Sequence, residues 1–459
     1  MTDVKIGLET HLQLDTESKL FCSCANKQNE EPNTNVCPTC LGHPGSKPRT
    51  NKEVLKQAFK VCKALELDFN KKSEFARKTY FYPDMSKNYQ ITQYDKPVAQ
   101  NGSFEIKIRD EKKQIGIKRL HIEEDPAKLI HEKNYCKVDY NRAGTPLLEI
   151  VTDPDLKSPE EARAYLQQLA QVLEYLGVYS PVSDYSIKSD ANISINGGER
   201  VEIKNITGTS DIEKALNYEL SRQKQLTKRN KAVKQHTRRY NPDMGSTVKM
   251  RDKETEEDYG YIYDPDLTVQ NSSEAEQVDI PELPKEKHRR FTEEYGLKDK
   301  IAESLISDPG LAKTYEELSD SHDSQTTAVM LTGDLKKVLN YNELGYNESG
   351  LKTEWLSQLL QMIEEDGISD RNAEKALREV VEEPRPIKQI VEEKGLEKSG
   401  VDEVTQVVEE VIKAETQAVE DYQSGDESAI NYLVGQVMQK TGGGADPKKT
   451  RELLIKHLE

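Results

Sequence analysis

Leu120 to Asp155 reads LHIEEDPAKLIHEKNYCKVDYNRAGTPLLEIVTDPD, short apolar runs set among carboxylates, one arginine and proline or glycine turns. Within it, Pro146-Leu147-Leu148-Glu149-Ile150-Val151 is apolar enough for a buried strand, where an unpaired Glu149 carboxylate is heavily penalised by desolvation. A metal ion, a cationic side chain or a raised pKa would each compensate it. Glu123, Glu124, Asp125 and Asp139 nearby add negative charge, which favours a cation. Two readings stand open on this stretch alone: a metal site, or a buried salt bridge from Glu149 to Arg142 or Lys128.

Outward from there, 459 residues suffice for two to four domains with a large core in at least one. Hydrophobic residues at 35% and charged ones at 32% describe a soluble chain with a wide polar surface. No apolar run approaches membrane-span length and Met1 opens directly on a strand-like segment, so no membrane partner and a cytoplasmic location are expected. The net charge of -17 argues against a general affinity for polyanions. A local exception runs between Glu219 and Asp243, where Arg222, Lys224, Lys228, Arg229, Lys231, Lys234, Arg238 and Arg239 occur without an acid; a solvated helix face and a nucleic-acid contact both account for it.

Lys5 to Leu14 alternates as a strand, placing Ile6, Leu8, Leu12 and Leu14 on one side and Gly7, Glu9, His11 and Gln13 on the other. Glu9 and His11 therefore face one way, able to share a cation or act as an acid/base pair. Cys22, Cys24, Cys37 and Cys40 form a C-x-C, twelve residues, C-x-x-C array that suits a tetrahedral, structural zinc ion; two disulfides are the alternative, disfavoured without a secretory signal. Thr50 and Glu53 predict a capping box for a short helix through Leu65. Arg77 to Val98 is rich in tyrosine, lysine and glutamine, which fits stacking on a base or ribose as well as an ordinary tyrosine-rich core loop.

Glu105 to Ile117 predicts a hairpin, and Ser158, Pro159 and Glu161 predict the start of an amphipathic helix that Gly177 stops. Asp190 to Ile206 predicts a second hairpin about Asn196-Gly197-Gly198, with Ile193, Ile195, Val201 and Ile203 inward and Asp190, Asn192, Glu202 and Lys204 on the polar side. Carboxylates from distant segments then converge on one sheet surface, where they repel each other without a divalent ion such as magnesium. Asn271 to Pro284 reads as a polar linker, beyond which the pattern is nearly all helical, with Pro384 and Pro386 marking another break. From Val401 an acidic amphipathic helix leads to a basic end with Lys440, Lys448, Lys449, Arg451 and Lys456 about Gly442 to Gly444. The expected fold is α+β with antiparallel and mixed sheets to about residue 283, an all-helical domain over 284–400 and a small helical tail over 401–459.

Eight segments in order carry a resemblance: GLETHLQL from Gly7, EPNTNVCPTCLGHPG from Glu31, RKTYFYPDMSKNYQITQYDKP from Arg77, LHIEED from Leu120, VDYNRAGTPLLEIV from Val138, DANISI from Asp190, VEIKNI from Val201 and YLVGQVM from Tyr432. End to end the chain resembles the GatB family, the B subunits of the glutamyl/aspartyl-tRNA amidotransferases. The resemblance implies an N-terminal catalytic cradle domain that uses ATP to phosphorylate the side-chain carboxylate of Glu-tRNA(Gln) or Asp-tRNA(Asn). Ammonia then displaces phosphate. It implies magnesium on His11, Glu124 and Glu149, with Glu9 and Asp190 completing the acidic pocket and Lys78 and Lys204 contacting phosphate or carboxylate. Zinc on the cysteine array, a separate amidase (A) subunit, a small C subunit, and tRNA held by the helical and tail domains, including Lys448 and Lys449, are implied as well. Departures fall at Thr207 to Asp211 and Tyr259 to Asp266, where the family pattern is not matched. A non-enzymatic zinc-containing tRNA-binding protein and a metal-dependent nuclease are the rival readings.

Overall fold

β1 (Val4–Gln13) organises the first part of the molecule because its alternation is strict. Ile6, Leu8 and Leu12 are at most 1% exposed and pack into the main apolar cluster, while Glu9 and His11 stay partly exposed on the opposite face. The computed structural model describes residues 2–27, 30–181, 187–252, 260–398 and 401–458. It comprises two compact units, one ending at Pro284 and one beginning at Lys285. Of the family-pattern departures, Tyr259 lies outside the described residues.

In the first unit the strands after β1 are β2 (Asp68–Phe69), β3 (Lys72–Ser73), β4 (Ala76–Thr79), β5 (Tyr89–Thr92), β6 (Ala99–Ile108), β7 (Glu111–Glu124), β8 (Lys128–His131) and β9 (Cys136–Asp139). There follow β10 (Pro146–Thr152), β11 (Ile187–Ile195), β12 (Val201–Thr207), β13 (His236–Asn241), β14 (Ser246–Asp252), β15 (Gly260–Tyr263) and β16 (Gln270–Asn271). Nine of them form one sheet in the order β14-β13-β12-β11-β1-β10-β7-β6-β2. Its neighbours are antiparallel except β12 and β13, whose parallel pairing needs a crossover. Helix α3 (Thr209–Lys228), after α1 (Lys52–Ala64) and α2 (Pro159–Tyr175), supplies it. α2 packs on β6 and α3, and α3 packs on β11, β12 and β14, so the helices cover the apolar side of the sheet. A small sheet, β15-β4-β5, sits beside β7.

Local chemistry explains the boundaries. Ser158 caps α2 by accepting from the Glu161 backbone N–H at 3.1 Å, with Pro159 in the first turn. The β11–β12 hairpin turns through Asn196 (φ 50°) and Gly197 (φ 69°), both in the left-handed region that tight two-residue turns require. The cap of α1 is Asn51 and not Thr50: the Asn51 side chain accepts from Glu53 N at 2.9 Å, one residue later than the spacing of Thr50 and Glu53 suggests. Asn271 to Pro284 is not a free linker. Ala275 and Val278 are buried in the first unit's core, and Lys63 Nζ donates to Val278 O at 2.5 Å.

Apart from an isolated bridge between Ile368 and Glu397, the elements of the second unit among its described residues are all helices. One apolar cluster runs from Phe291 to Leu396 and a separate one from Val404 to Leu454. Helix Asp370–Glu382 ends before Pro384, and helix Ile387–Lys394 is closed by Gly395 at φ 58°. The Gly442–Gly444 turn is fastened by Ser369 Oγ donating to Gly443 O at 2.9 Å and by Lys375 Nζ donating to Gly442 O at 2.8 Å. No described helix is long and apolar enough to cross a membrane.

Candidate active site

On the polar face of the large sheet the register sets side chains in rows. Glu149 on β10 lies directly opposite His11 on β1 and opposite His121 on β7, while Glu9 faces Asp190 and Asn192 faces Glu202. Two clusters result. One ligand atom each from His11, Glu123 and Glu149 lie within 4.8 Å of one another, and the same holds for Glu9, Asp190 and Glu202. His11 Nε2 is 3.4 Å and His121 Nε2 is 3.2 Å from Glu149 Oε2. His121 and Glu123 are almost fully buried, whereas the His11 side chain is 24% exposed, so the first cluster opens to solvent at His11. In the second, Asn192 Nδ2 donates to Glu9 Oε1 at 2.9 Å and Lys204 Nζ donates to Asp190 Oδ2 at 3.0 Å.

The electrostatics follow from that crowding. Burial pushes the Glu149 carboxyl up, but the charge of His121 and the contacts from His11 and His121 more than reverse this and hold it well below the usual range. Burial likewise lowers His11 and His121, and the carboxylates of Glu149 and Glu123 overcome it, lifting them to about 10 and about 9. Glu9 is pushed up by burial and then by Glu149 and Asp190. Burial would lower Lys204, yet Asp190 and Glu202 raise it. Negative charge thus dominates the face and draws in whatever cations stand near.

Several expected positions change. Glu124 does not join His11 and Glu149. It shares strand parity with buried Ile122, and its carboxylate instead accepts from Lys87 Nζ at 2.6 Å and from Ile91 N at 2.9 Å. Glu123, one residue earlier and level with His121, takes the place expected of it. The salt bridge from Glu149 to Arg142 or Lys128 is also not formed. Arg142 sits 3.6 Å from Asp125 and donates to the carbonyls of Pro126 and Ala127, and Lys128 is exposed on β8; the cationic partners of Glu149 are the two imidazoles. Lys78 lies on β4 in the small sheet, its ammonium 6.0 Å from the Tyr80 ring centroid. In the basic run, Arg222 and Arg238 turn inward onto fully buried Glu219, which leaves Lys224, Lys228, Arg229, Lys231, Lys234 and Arg239 as its exposed part. His121 and Glu202 were not among the expected site residues, although alternation of His121 and Glu123 against Leu120 and Ile122 in LHIEE points to the former.

The four array cysteines form a third cluster, with one sulfur each within 4.8 Å of the others, and all are free of disulfides. Lys19 is fully buried, with its Nζ 3.9 Å from Cys40 Sγ and 3.0 Å from Asn35 O. A buried ammonium without a carboxylate partner among the described residues needs negative charge, and thiolate supplies it. The Cys40 thiol is held down to about 5 by the hydrogen bond from Cys22, with Lys19 adding to the effect.

A family model of the GatB/GatE catalytic domain matches residues 4–277, and a model of the GatB domain matches residues 313–458. The chain belongs to the GatB family. Relatives named as the B subunit of aspartyl/glutamyl-tRNA(Asn/Gln) amidotransferase include those of Methanopyrus kandleri, 43% identical over 472 residues, and Haloquadratum walsbyi, 42% identical over 479 residues. These alignments cover 100% and 99% of this chain and 99% and 97% of the two relatives. A third, from Methanospirillum hungatei, is 42% identical over 467 residues, covering 99% of this chain and 98% of its own. The GatB/GatE catalytic match contains every residue of both carboxylate clusters and of the cysteine cluster, and the GatB-domain match falls wholly within the helical unit.

Proposed function

We propose that this chain is the B subunit of a tRNA-dependent amidotransferase, acting on Glu-tRNA(Gln), Asp-tRNA(Asn) or both. A carboxylate oxygen of the aminoacyl side chain attacks the γ-phosphorus of ATP and ADP leaves. Ammonia nitrogen then bonds to the acyl carbon as the bond to phosphate breaks, with loss of one proton. The observation that carries this reading is the donor set of His11, Glu123 and Glu149, built from three adjacent strands on an open polar face. One imidazole and two carboxylates suit a hard divalent ion, and they would hold magnesium. When bound, that ion neutralises phosphate charge during transfer. Lys204, fixed between Asp190 and Glu202, offers a cation to phosphate or carboxylate, and Lys78 is a further candidate for that contact. Glu9 and Asp190 shape the acidic wall.

The four thiolates and Lys19 fit a structural zinc ion held by Cys22, Cys24, Cys37 and Cys40, with no catalytic step asked of it. Ammonia enters from a separate amidase (A) subunit, with a small C subunit joining the pair, and the helical and tail domains, 284–400 and 401–459, hold the tRNA. Separate apolar clusters on either side of residue 400 support that division. Glu149→Ala tests the reading in the reconstituted complex: charged tRNA still binds, while ADP release and amide formation fall by at least about 10²-fold. Undiminished amidation rejects it. Assaying each misacylated tRNA separately decides the substrate.

A further inference from the structure

His121 takes no part in the reaction proposed above, yet it is 4% exposed and stands between two carboxylates of the first cluster. Its Nε2 is 3.2 Å from Glu149 Oε2 and 3.8 Å from Glu123 Oε2. Its Nδ1 is buried and has no hydrogen-bond partner among the described residues. That asymmetry fixes the role of the ring. An imidazole that ligates a metal through one nitrogen nearly always donates its other N–H to an acceptor, and His121 has no acceptor at Nδ1. Buried N–H groups left without a partner are rare. The proton that does the positioning is therefore the one on Nε2, which faces the Glu149 carboxylate at 3.2 Å in the neutral and the charged ring alike.

We infer that His121 is a positioning residue for the metal centre: it donates Nε2–H to the Glu149 carboxylate and so orients it toward the cation beside His11, while Glu123 accepts from Thr92 Oγ1 at 3.1 Å. It acts through that carboxylate and is not itself a ligand. The register explains why it can. Glu149 is flanked by His11 on one neighbouring strand and His121 on the other, so one imidazole is free to ligate while the second holds the carboxylate in place. This inference rests on the magnesium reading above and deepens it.

The test measures Mn2+ binding by electron paramagnetic resonance of the free ion, in the assembled complex, for wild type, Glu149→Ala, His121→Gln and His121→Ala. Glutamine places an amide N–H close to where Nε2–H stands; alanine removes the donor. His121→Ala is expected to weaken Mn2+ binding 10- to 100-fold and to raise the KM for Mg2+ more than it lowers kcat, and His121→Gln to stay within about threefold of wild type. Thermal melting of each variant separates these effects from misfolding. Wild-type affinity in His121→Ala overturns the inference, and so does an equal loss in His121→Gln, which would make the ring a ligand or mere packing. Glu149→Ala keeps the two readings apart: if it binds Mn2+ as wild type does, the metal centre is misplaced and both fall. If it loses the ion while His121→Ala does not, only the role of His121 falls.

Discussion

Lys87 and Glu124 make an ammonium–carboxylate pair with 7% and 6% of their side-chain surfaces exposed. A buried pair adds little net stability, but breaking one leaves an uncompensated charge that costs about 3 kcal/mol or more. Lys87→Met is therefore expected to lower the unfolding free energy by about 3 kcal/mol, measured by denaturant titration. Glu124→Gln should destabilise in the same sense, yet leave Mn2+ affinity within about twofold. Glu123→Gln should do the reverse, weakening Mn2+ binding at least about tenfold with a melting temperature close to wild type. A Mn2+ affinity that follows Glu124 would return that residue to the metal centre. Alternation along LHIEE already sets Glu124 on the side of Ile122 and Glu123 with His121; the family resemblance, not the parity, put Glu124 on the metal. The register opposite Leu147 and Pro146 keeps the strand regular through both and holds them on different faces.

At the scale of the element, the edge β12–β13–β14 under α3 carries a buried imidazole of a different kind. His236 is 6% exposed and faces Arg222 and Arg238, the latter with Nη1 3.3 Å from His236 Nε2, with Glu219 opposing them. Burial first, then Arg222, hold it below its ordinary value. The folded chain thus takes up this proton less readily than the unfolded one. The associated stability is present above the ordinary histidine value of about 6.5 and is lost as pH falls through it, at no more than about 1.4 kcal/mol per pH unit. Unfolding free energies at pH 7.5 and pH 5.5 should differ less in His236→Gln than in wild type, and an unchanged difference would deny the imidazole this role. Elements with strong periodicity and punctuation, β1, α2 and the β11–β12 hairpin, were legible because alternation, a serine cap and an Asn-Gly turn each have a single physical solution. The stretch Asn271 to Pro284 was not. Its polarity conceals Ala275 and Val278, whose burial depends on α1 and not on any local pattern.

For the whole molecule, that tucked segment decides where the chain can be cut. The first unit ends at Pro284 and contains every residue of the three ligand clusters, and its apolar cluster includes Ala275 and Val278. A chain ended at Pro284 should therefore fold cooperatively, retain one zinc per chain by atomic spectroscopy and bind Mn2+ within about twofold of the full chain. One ended at Thr268 removes buried Ala275 and Val278 and the Lys63 acceptor at Val278, and should melt markedly lower. Within the longer fragment, replacing Cys37 and Cys40 together should abolish the zinc; retention would place the ion elsewhere. If the helical unit holds tRNA as proposed, the Pro284 fragment assembled with its partner subunits should lose at least about tenfold in kcat/KM for charged tRNA. That loss should appear mainly in KM, because the residues that position phosphate and carboxylate are all kept. A fragment that amidates as efficiently as the full chain would leave the helical unit without a part in substrate binding.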